Sequence, residues 1–202
     1  MRLLTSLIFC MAAGLPAMAE PITLSASSFP AGSYIFDWQF INGDQVVGNN
    51  TATISGFTAA GVSLISLQTF GTVTGTDLVS GLTLVDGPIT EVQEAFTSSG
   101  APWNIGFDLS YTGNYSGPGP GDAFTFTITD TGLNPINSSG DGSLLEADIS
   151  GANSPLSTFA ADPGFGSIQP ELGSTAVPEP SSVAVVGLAF LVVVGARKRL
   201  TA

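Results

Sequence analysis

Residues 103–111 read Trp-Asn-Ile-Gly-Phe-Asp-Leu-Ser-Tyr, and every second side chain in this stretch is apolar or aromatic. The residues between them are small or polar. Successive side chains of a β-strand point to opposite faces of the sheet, so this alternation predicts a strand with one buried face and one solvent face. The stretch therefore indicates a layered β-structure and not a helical one.

The same period-two pattern recurs on both sides of this strand. It is present at 34–40, 51–55 and 124–129, and further strands are predicted at 62–67, 78–84 and 144–149, with a short edge strand at 22–25. Turn-forming residues separate these segments, as in Gly117-Pro118-Gly119-Pro120-Gly121. About eight to ten short strands predict an all-β fold, an antiparallel β-sandwich of jelly-roll type.

Two segments depart from the alternation. Val92 and Phe96 are four residues apart within 90–96, a helical spacing that predicts one or two helical turns there. From 161 to 176 prolines and glycines recur, which predicts a flexible stalk. The β-domain is thus predicted to span residues 20–160, a normal size for one domain with its own core.

The N-terminus has the three parts of a secretory signal peptide. Arg2 supplies a positive charge, an apolar run follows, and Ala17 and Ala19 place small residues at a cleavage site. We therefore predict that residues 1–19 are a signal peptide and that signal peptidase cuts before Glu20. The single cysteine, Cys10, is removed with this segment.

The C-terminus also consists of three parts. Val177-Pro178-Glu179-Pro180 is followed by an uncharged apolar run at 183–196 and then by Arg197-Lys198-Arg199. The run is short for a bilayer span, but a basic cluster after it is typical of a stop-transfer signal that stays on the cytoplasmic side. We predict one transmembrane helix at 183–196, with the acidic domain outside the inner membrane.

These three parts resemble a PEP-CTERM sorting signal, which is found on exported proteins of Gram-negative bacteria. The resemblance, over 177–202, implies that a membrane enzyme called exosortase recognises the tail and cuts it near the Pro178-Glu179-Pro180 triplet. It implies a protein that passes through the inner membrane and then reaches the cell surface or the medium. Because such tails accompany systems that make extracellular polysaccharide, it also implies association with exopolysaccharide and biofilm matrix. Residues 36–40, 49–55 and 141–149 are similar to one group of small exported PEP-CTERM β-domains.

The charge distribution limits the partners and the chemistry. All four basic residues and the one cysteine lie in the two terminal segments, the chain has no histidine, and the formal net charge is −12. Internal salt bridges are therefore excluded except at the new amino terminus, and each carboxylate must be solvated, hydrogen-bonded or shared with a cation. Nucleic acid is excluded as an electrostatic partner. Most nucleophiles and bases are missing, so we predict no catalytic residues.

Oxygen-bearing side chains are concentrated between 130 and 148. Asp130, Asn137, Asp141 and Asp148 are candidate ligands for Ca²⁺, a cation that takes about six to eight oxygen ligands. The alternative is that these residues make turns, as Asp and Asn in long loops usually do. Ca²⁺ is the one cofactor that the sequence suggests.

Two alternatives accompany the prediction of a non-catalytic surface or matrix protein. Tyr111 and Tyr115, beside the Gly-Pro loop, are candidate glycan contacts of a carbohydrate-binding module, whereas Trp38 and Trp103 are in phase with Phe residues and are predicted to be core. The second alternative is a glycoside hydrolase, an activity that needs only two carboxyl groups. Its candidate residues are Glu91, Glu94 and Glu146.

Overall fold

The computed structural model describes residues 19–115, 117–138, 142–150, 155–166 and 168–173. Within these residues the chain forms twelve β-strands and one short 3-10 turn, Pro163–Phe165. The strands, in chain order, are β1 (Glu20–Ala26), β2 (Gly32–Ile41), β3 (Thr51–Ala60), β4 (Val62–Phe70), β5 (Val73–Gly75), β6 (Leu82–Val85), β7 (Thr90–Ser98), β8 (Trp103–Tyr111), β9 (Asp122–Asp130), β10 (Leu145–Ile149), β11 (Leu156–Thr158) and β12 (Glu171–Leu172).

The strands form two six-stranded antiparallel sheets. Sheet A has the order β12-β1-β8-β3-β6-β5, and sheet B has the order β11-β10-β9-β2-β7-β4. β1 pairs with β8, β2 with β7 and β3 with β6, a nested pattern that is typical of jelly rolls. A fourth nested pair is absent, because β4 pairs with β7 and β5 pairs with β6. The prediction of an antiparallel β-sandwich is confirmed.

The inward faces of the two sheets form one aromatic core. Trp38 of β2 packs against Phe126 of β9 in the same sheet, with ring centroids 5.1 Å apart, and against Phe107 of β8 in the other sheet, at 5.8 Å. Trp103 is also buried, so both tryptophans are core residues, as their phase predicts. Burying an aromatic or large aliphatic side chain contributes about 1.5–3 kcal/mol, so this layer is the main source of stability.

The helical prediction at 90–96 is wrong, because these residues belong to strand β7. Val92 and Phe96 both face the core. Four residues are two full periods of a strand as well as about one turn of a helix, so their spacing does not distinguish the two structures. Residues 90–96 pair with β2 on one side and with β4 on the other, and this pairing makes the segment a strand.

Two strand predictions need correction. In the segment 78–84 only the end is extended, since β6 begins at Leu82, and the preceding residues form a turn in which Asp77 accepts hydrogen bonds from the backbone N–H and the hydroxyl of Ser80. The predicted edge strand at 22–25 is the longer strand β1, which lies between β12 and β8 and is not an edge.

The predicted stalk is part of the folded domain as far as residue 173. Ile168 is fully buried, and its carbonyl accepts a hydrogen bond from the N–H of Ala161. The N–H of Asp162 donates to the carbonyl of Ile136, and β12 pairs with β1. Pro and Gly disrupt the alternation in this segment, but one buried isoleucine and a few backbone hydrogen bonds are enough to hold it on the sandwich. Residues 174–176 lie outside the described residues.

The predictions for the two termini also lie outside the described residues. This applies to Ala17 and the rest of the signal peptide except Ala19, to the triplet region 177–180, to the predicted membrane segment 183–196 and to Arg197, Lys198 and Arg199. In the part of the chain that is described, no helix is long and apolar enough to span a membrane.

Candidate functional site

Loops at one end of the sandwich enclose a network of buried polar side chains, which we call the end network. It is built on Asp44, Asn50, Asp86 and Asp122, which are almost completely shielded from solvent. Asp122 begins β9, Asp86 follows β6, Asn50 precedes β3, and Asp44 lies in the connection from β2. The register of the strands therefore brings together residues from three separate parts of the chain.

Hydrogen bonds satisfy the carboxyl groups of the end network. Oδ1 of Asp122 accepts from the N–H groups of Gly43 and Asp44 at 2.9 and 3.2 Å, and its Oδ2 accepts from Nδ2 of Asn50 at 2.7 Å. Oδ1 of Asp86 accepts from the backbone N–H of Asn50, and Oδ2 accepts from Nδ2 of Asn42. Amide donors thus replace the basic side chains that this region lacks, which is how buried acidic groups avoid a large desolvation cost.

The Gly-Pro loop at 117–121 closes over the end network. A Cβ atom on Gly117 would lie 1.5 Å from the carbonyl oxygen of Asp44, and one on Gly119 would lie 2.0 Å from that of Gly43. Only glycine allows the two backbone segments to approach this closely. The loop is therefore a packed cover of the end network, and its glycines have a structural role.

A second polar cluster lies at the centre of the outer face of sheet B. Asp37 of β2 and Glu91 of β7 lie close enough for their carboxyl groups to interact, and we call them the carboxyl pair. Nε2 of Gln39 donates to Oδ2 of Asp37 at 3.0 Å, and Nε2 of Gln93 donates to Oε1 of Glu91. Although Asp37 is on the outer face, it is only 6% exposed.

Asp37 keeps its proton to an unusually high pH. Burial, together with the charge of Glu91 and the hydrogen bond to it, raises the pKa of Asp37 from 3.8 to about 7, although the hydrogen bond from Gln39 lowers it. Oδ1 of Asp37 is buried and receives no hydrogen bond from another donor. Two adjacent carboxyl groups do not readily ionise together, so the neighbouring Glu91 favours the protonated form of Asp37.

The structure does not pair the three glutamates of the hydrolase alternative. Glu94 faces the opposite side of β7 from Glu91, and it is buried next to β4. Glu146 shares a cross-strand row with Glu91, but β9 and β2 lie between their strands, which separates them by about 14 Å. Glycosidases place their carboxyl groups about 5–9.5 Å apart.

Of the four predicted calcium ligands, the two described aspartates are far apart. Asp130 ends β9, whereas Asp148 of β10 pairs with Ala123 near the start of β9, so about 24 Å of strand separates them. Nδ2 of Asn137 donates to the carbonyl of Ser143. Asp141 lies outside the described residues. Across the described ranges, no group of three or more His, Cys, Asp or Glu is placed to hold a metal ion.

Asp130 stabilises a turn, as the alternative to calcium binding predicts. Its Oδ1 accepts hydrogen bonds from the N–H groups of Gly132 and Asn134 at 2.8 and 2.9 Å. The hydrogen bonds from Asn134 lower the pKa of this carboxyl group below its usual value. The residue therefore closes the turn after β9.

The two candidate tyrosines differ in exposure. Tyr111, the last residue of β8, is half-buried against the core, and burial followed by the charge of Glu20 raises its pKa. Tyr115 is 45% exposed, and its hydroxyl donates to the carbonyl of Gly119 at 2.6 Å. Of the two, only Tyr115 presents much of its ring to solvent. A shallow depression of about 330 Å³ elsewhere is lined by residues without ionisable side chains, namely Ser28, Phe29, Pro30, Ala31, Gly100 and Gly164.

Fold and composition define a class of protein: an acidic antiparallel β-sandwich that is followed by a proline-containing apolar tail with a basic end. The tail identifies the class more narrowly, because the family model of the PEP-CTERM protein-sorting motif matches residues 176–199. The chain therefore carries a PEP-CTERM sorting signal, and this motif implies export and processing by exosortase. No curated protein and no solved structure matches the chain.

Proposed function

We propose that this chain is a non-catalytic surface or extracellular-matrix protein, whose sandwich is delivered by the sorting tail and associates with exopolysaccharide. The proposal rests on the structural roles of the acidic side chains. In the end network they hold loops, Asp130 holds a turn, and the remaining glutamate candidates are dispersed over two faces. Asp37 has a pKa near neutrality, but it is only 6% exposed, so the described acidic side chains act mainly as parts of a scaffold.

Processing can be tested with trypsin and mass spectrometry on the protein recovered from the cell surface and the medium. Signal peptidase and exosortase should remove every basic residue, since none lies between residues 20 and 196. We therefore expect the mature protein to stay uncut by trypsin even in urea. Val47→Lys, at an exposed position, is the matched control and should give one cut. Tryptic cleavage of the unmodified protein after Arg2 or Arg197 would contradict this processing.

Among the alternatives, the carbohydrate-binding module is favoured by the exposed ring of Tyr115. A sugar that stacks on this ring would gain about 0.5–1.5 kcal/mol, so Tyr115→Ala should weaken retention on the producer's exopolysaccharide by roughly 2–10-fold. Tyr115→Phe keeps the ring and loses only the hydrogen bond to Gly119, so it should bind like the unmodified protein. Equal retention of all three proteins would exclude Tyr115 as a glycan contact.

A further inference from the structure

The two open sheets have four edge strands, and their lengths differ sharply. β12 has two residues, β5 and β11 have three each, and β4 has nine. Proteins commonly shorten edge strands because an exposed edge presents unpaired N–H and C=O groups to other chains. β4 is therefore the one long edge in the described part of the chain.

The composition of β4 favours pairing with another strand. Its sequence, Val-Ser-Leu-Ile-Ser-Leu-Gln-Thr-Phe, contains neither a charged residue nor a proline, the two residue types that usually protect an edge. Leu64, Ile65 and Phe70 are 47, 59 and 47% exposed. β7 pairs with one side of β4, and no described strand pairs with the other side.

One half of β4 retains the regular geometry that pairing with another strand requires. The register with β7 shifts between Leu64 and Ser66, and the N–H groups of Ile65 and Ser66 donate to the buried carboxyl group of Glu94. A bulge of this kind disturbs pairing locally. From 67 to 70 the register is unbroken, so these four residues present a regular, unpaired edge.

The charge of the domain indicates which strand can pair there. All acidic residues except Glu179 lie between residues 20 and 177, together with no basic residue, so two copies of the domain repel each other over most of their surface. β4 has no charged residue. In the neighbouring strand β7, Glu94 faces inward and Glu91 interacts with Asp37. A two-fold antiparallel contact places the same strand against itself and requires this absence of like charges.

We propose that two copies of the mature protein associate through antiparallel pairing of β4 with β4, which joins their B sheets into one continuous sheet. The backbone edge of 67–70 supplies the hydrogen bonds, and the exposed apolar side chains of β4 are covered by the partner copy. This association is independent of the proposed matrix function, since it depends only on the edge and its charge.

Sedimentation velocity of the mature protein over a concentration series tests the association. We expect a monomer–dimer equilibrium that shifts toward dimer in higher salt, because salt screens the repulsion between the two acidic copies. Hydrogen exchange at 67–70 should slow as the concentration rises. A monomer at all concentrations and salt levels would overturn the proposal.

Matched charge variants locate the contact. Gln68→Glu places like charges across the two-fold pairing and should weaken the dimer at least tenfold. Leu133→Glu adds the same charge at an exposed position beyond β9, three strands from β4, and should leave the dimer unchanged. The melting temperature of each monomer serves as the folding check. Equal weakening by the two variants, or none by Gln68→Glu, would show that the copies do not meet at β4.

Discussion

Replacing Asp122 by alanine should lower the free energy of unfolding by about 3–5 kcal/mol, because the substitution removes the centre of the end network. The N–H groups of Gly43 and Asp44 and the amide of Asn50 would lose their acceptors while they remain buried. Each buried donor without a partner costs about 1–3 kcal/mol. The loops that carry these donors would also lose their attachment to β9.

Urea denaturation monitored by tryptophan fluorescence measures this effect, since Trp38 and Trp103 are both buried. Asp122→Asn is the milder variant: it keeps one acceptor oxygen, and we expect a loss of about 1–2 kcal/mol. Asp148→Ala removes an exposed carboxyl group from β10 and should change stability by less than about 0.5 kcal/mol. If Asp122→Ala were no more harmful than Asp148→Ala, the end network would not be a source of stability.

The carboxyl pair should make the protein less stable as the pH rises from about 4 to about 7. Because the pKa of Asp37 is about 7 in the folded state and lies near 3.8 when the chain is unfolded, the folded state binds more protons in this interval. Stability falls with pH wherever the folded state binds more protons. A shift of this size corresponds to at most about 4 kcal/mol, and we expect a loss on the order of 3 kcal/mol.

Asp37→Asn isolates this effect from the other titrating groups. The asparagine can accept from Gln39 and donate to Glu91 without holding a titratable proton, so the variant should be more stable than the unmodified protein above pH 7 and similar to it near pH 4. Asp148→Asn, an exposed change on the same face, should follow the unmodified protein at every pH. Parallel stability curves for the unmodified protein and Asp37→Asn would refute the raised pKa of Asp37.

Local pattern was sufficient for most of the fold. Alternation located the central strands and both core tryptophans, because burial of one face imposes a period of two that is visible within a single strand. It was insufficient where the pattern was ambiguous, as at Val92 and Phe96, or where a segment is held by one residue, as at Ile168. The four-residue spacing in β7 fits a helix as well as a strand, so only pairing with the neighbouring strands distinguishes the two.

The site was much less predictable than the fold. The end network joins residues from three separate parts of the chain, and each of them looks in sequence like an ordinary turn residue. Asp37 occupies an outward position between Phe36 and Trp38, which predicts a solvated carboxyl group, and nothing in the sequence indicates that Glu91 lies beside it. Two of the predicted calcium ligands, Asp130 and Asp148, are close along the chain, but the strands place them at opposite ends of β9.

The sequence by itself determined that this protein has an alternating, acidic β-domain without basic side chains and a sorting tail, because these properties are encoded in composition and in short contiguous patterns. Only the tertiary structure decided which acidic groups meet, which loop covers the end network and which strand is left as a long edge. These features depend on the register and order of strands. Strand order is set by the packing of the whole core, and no single segment of the chain contains that information.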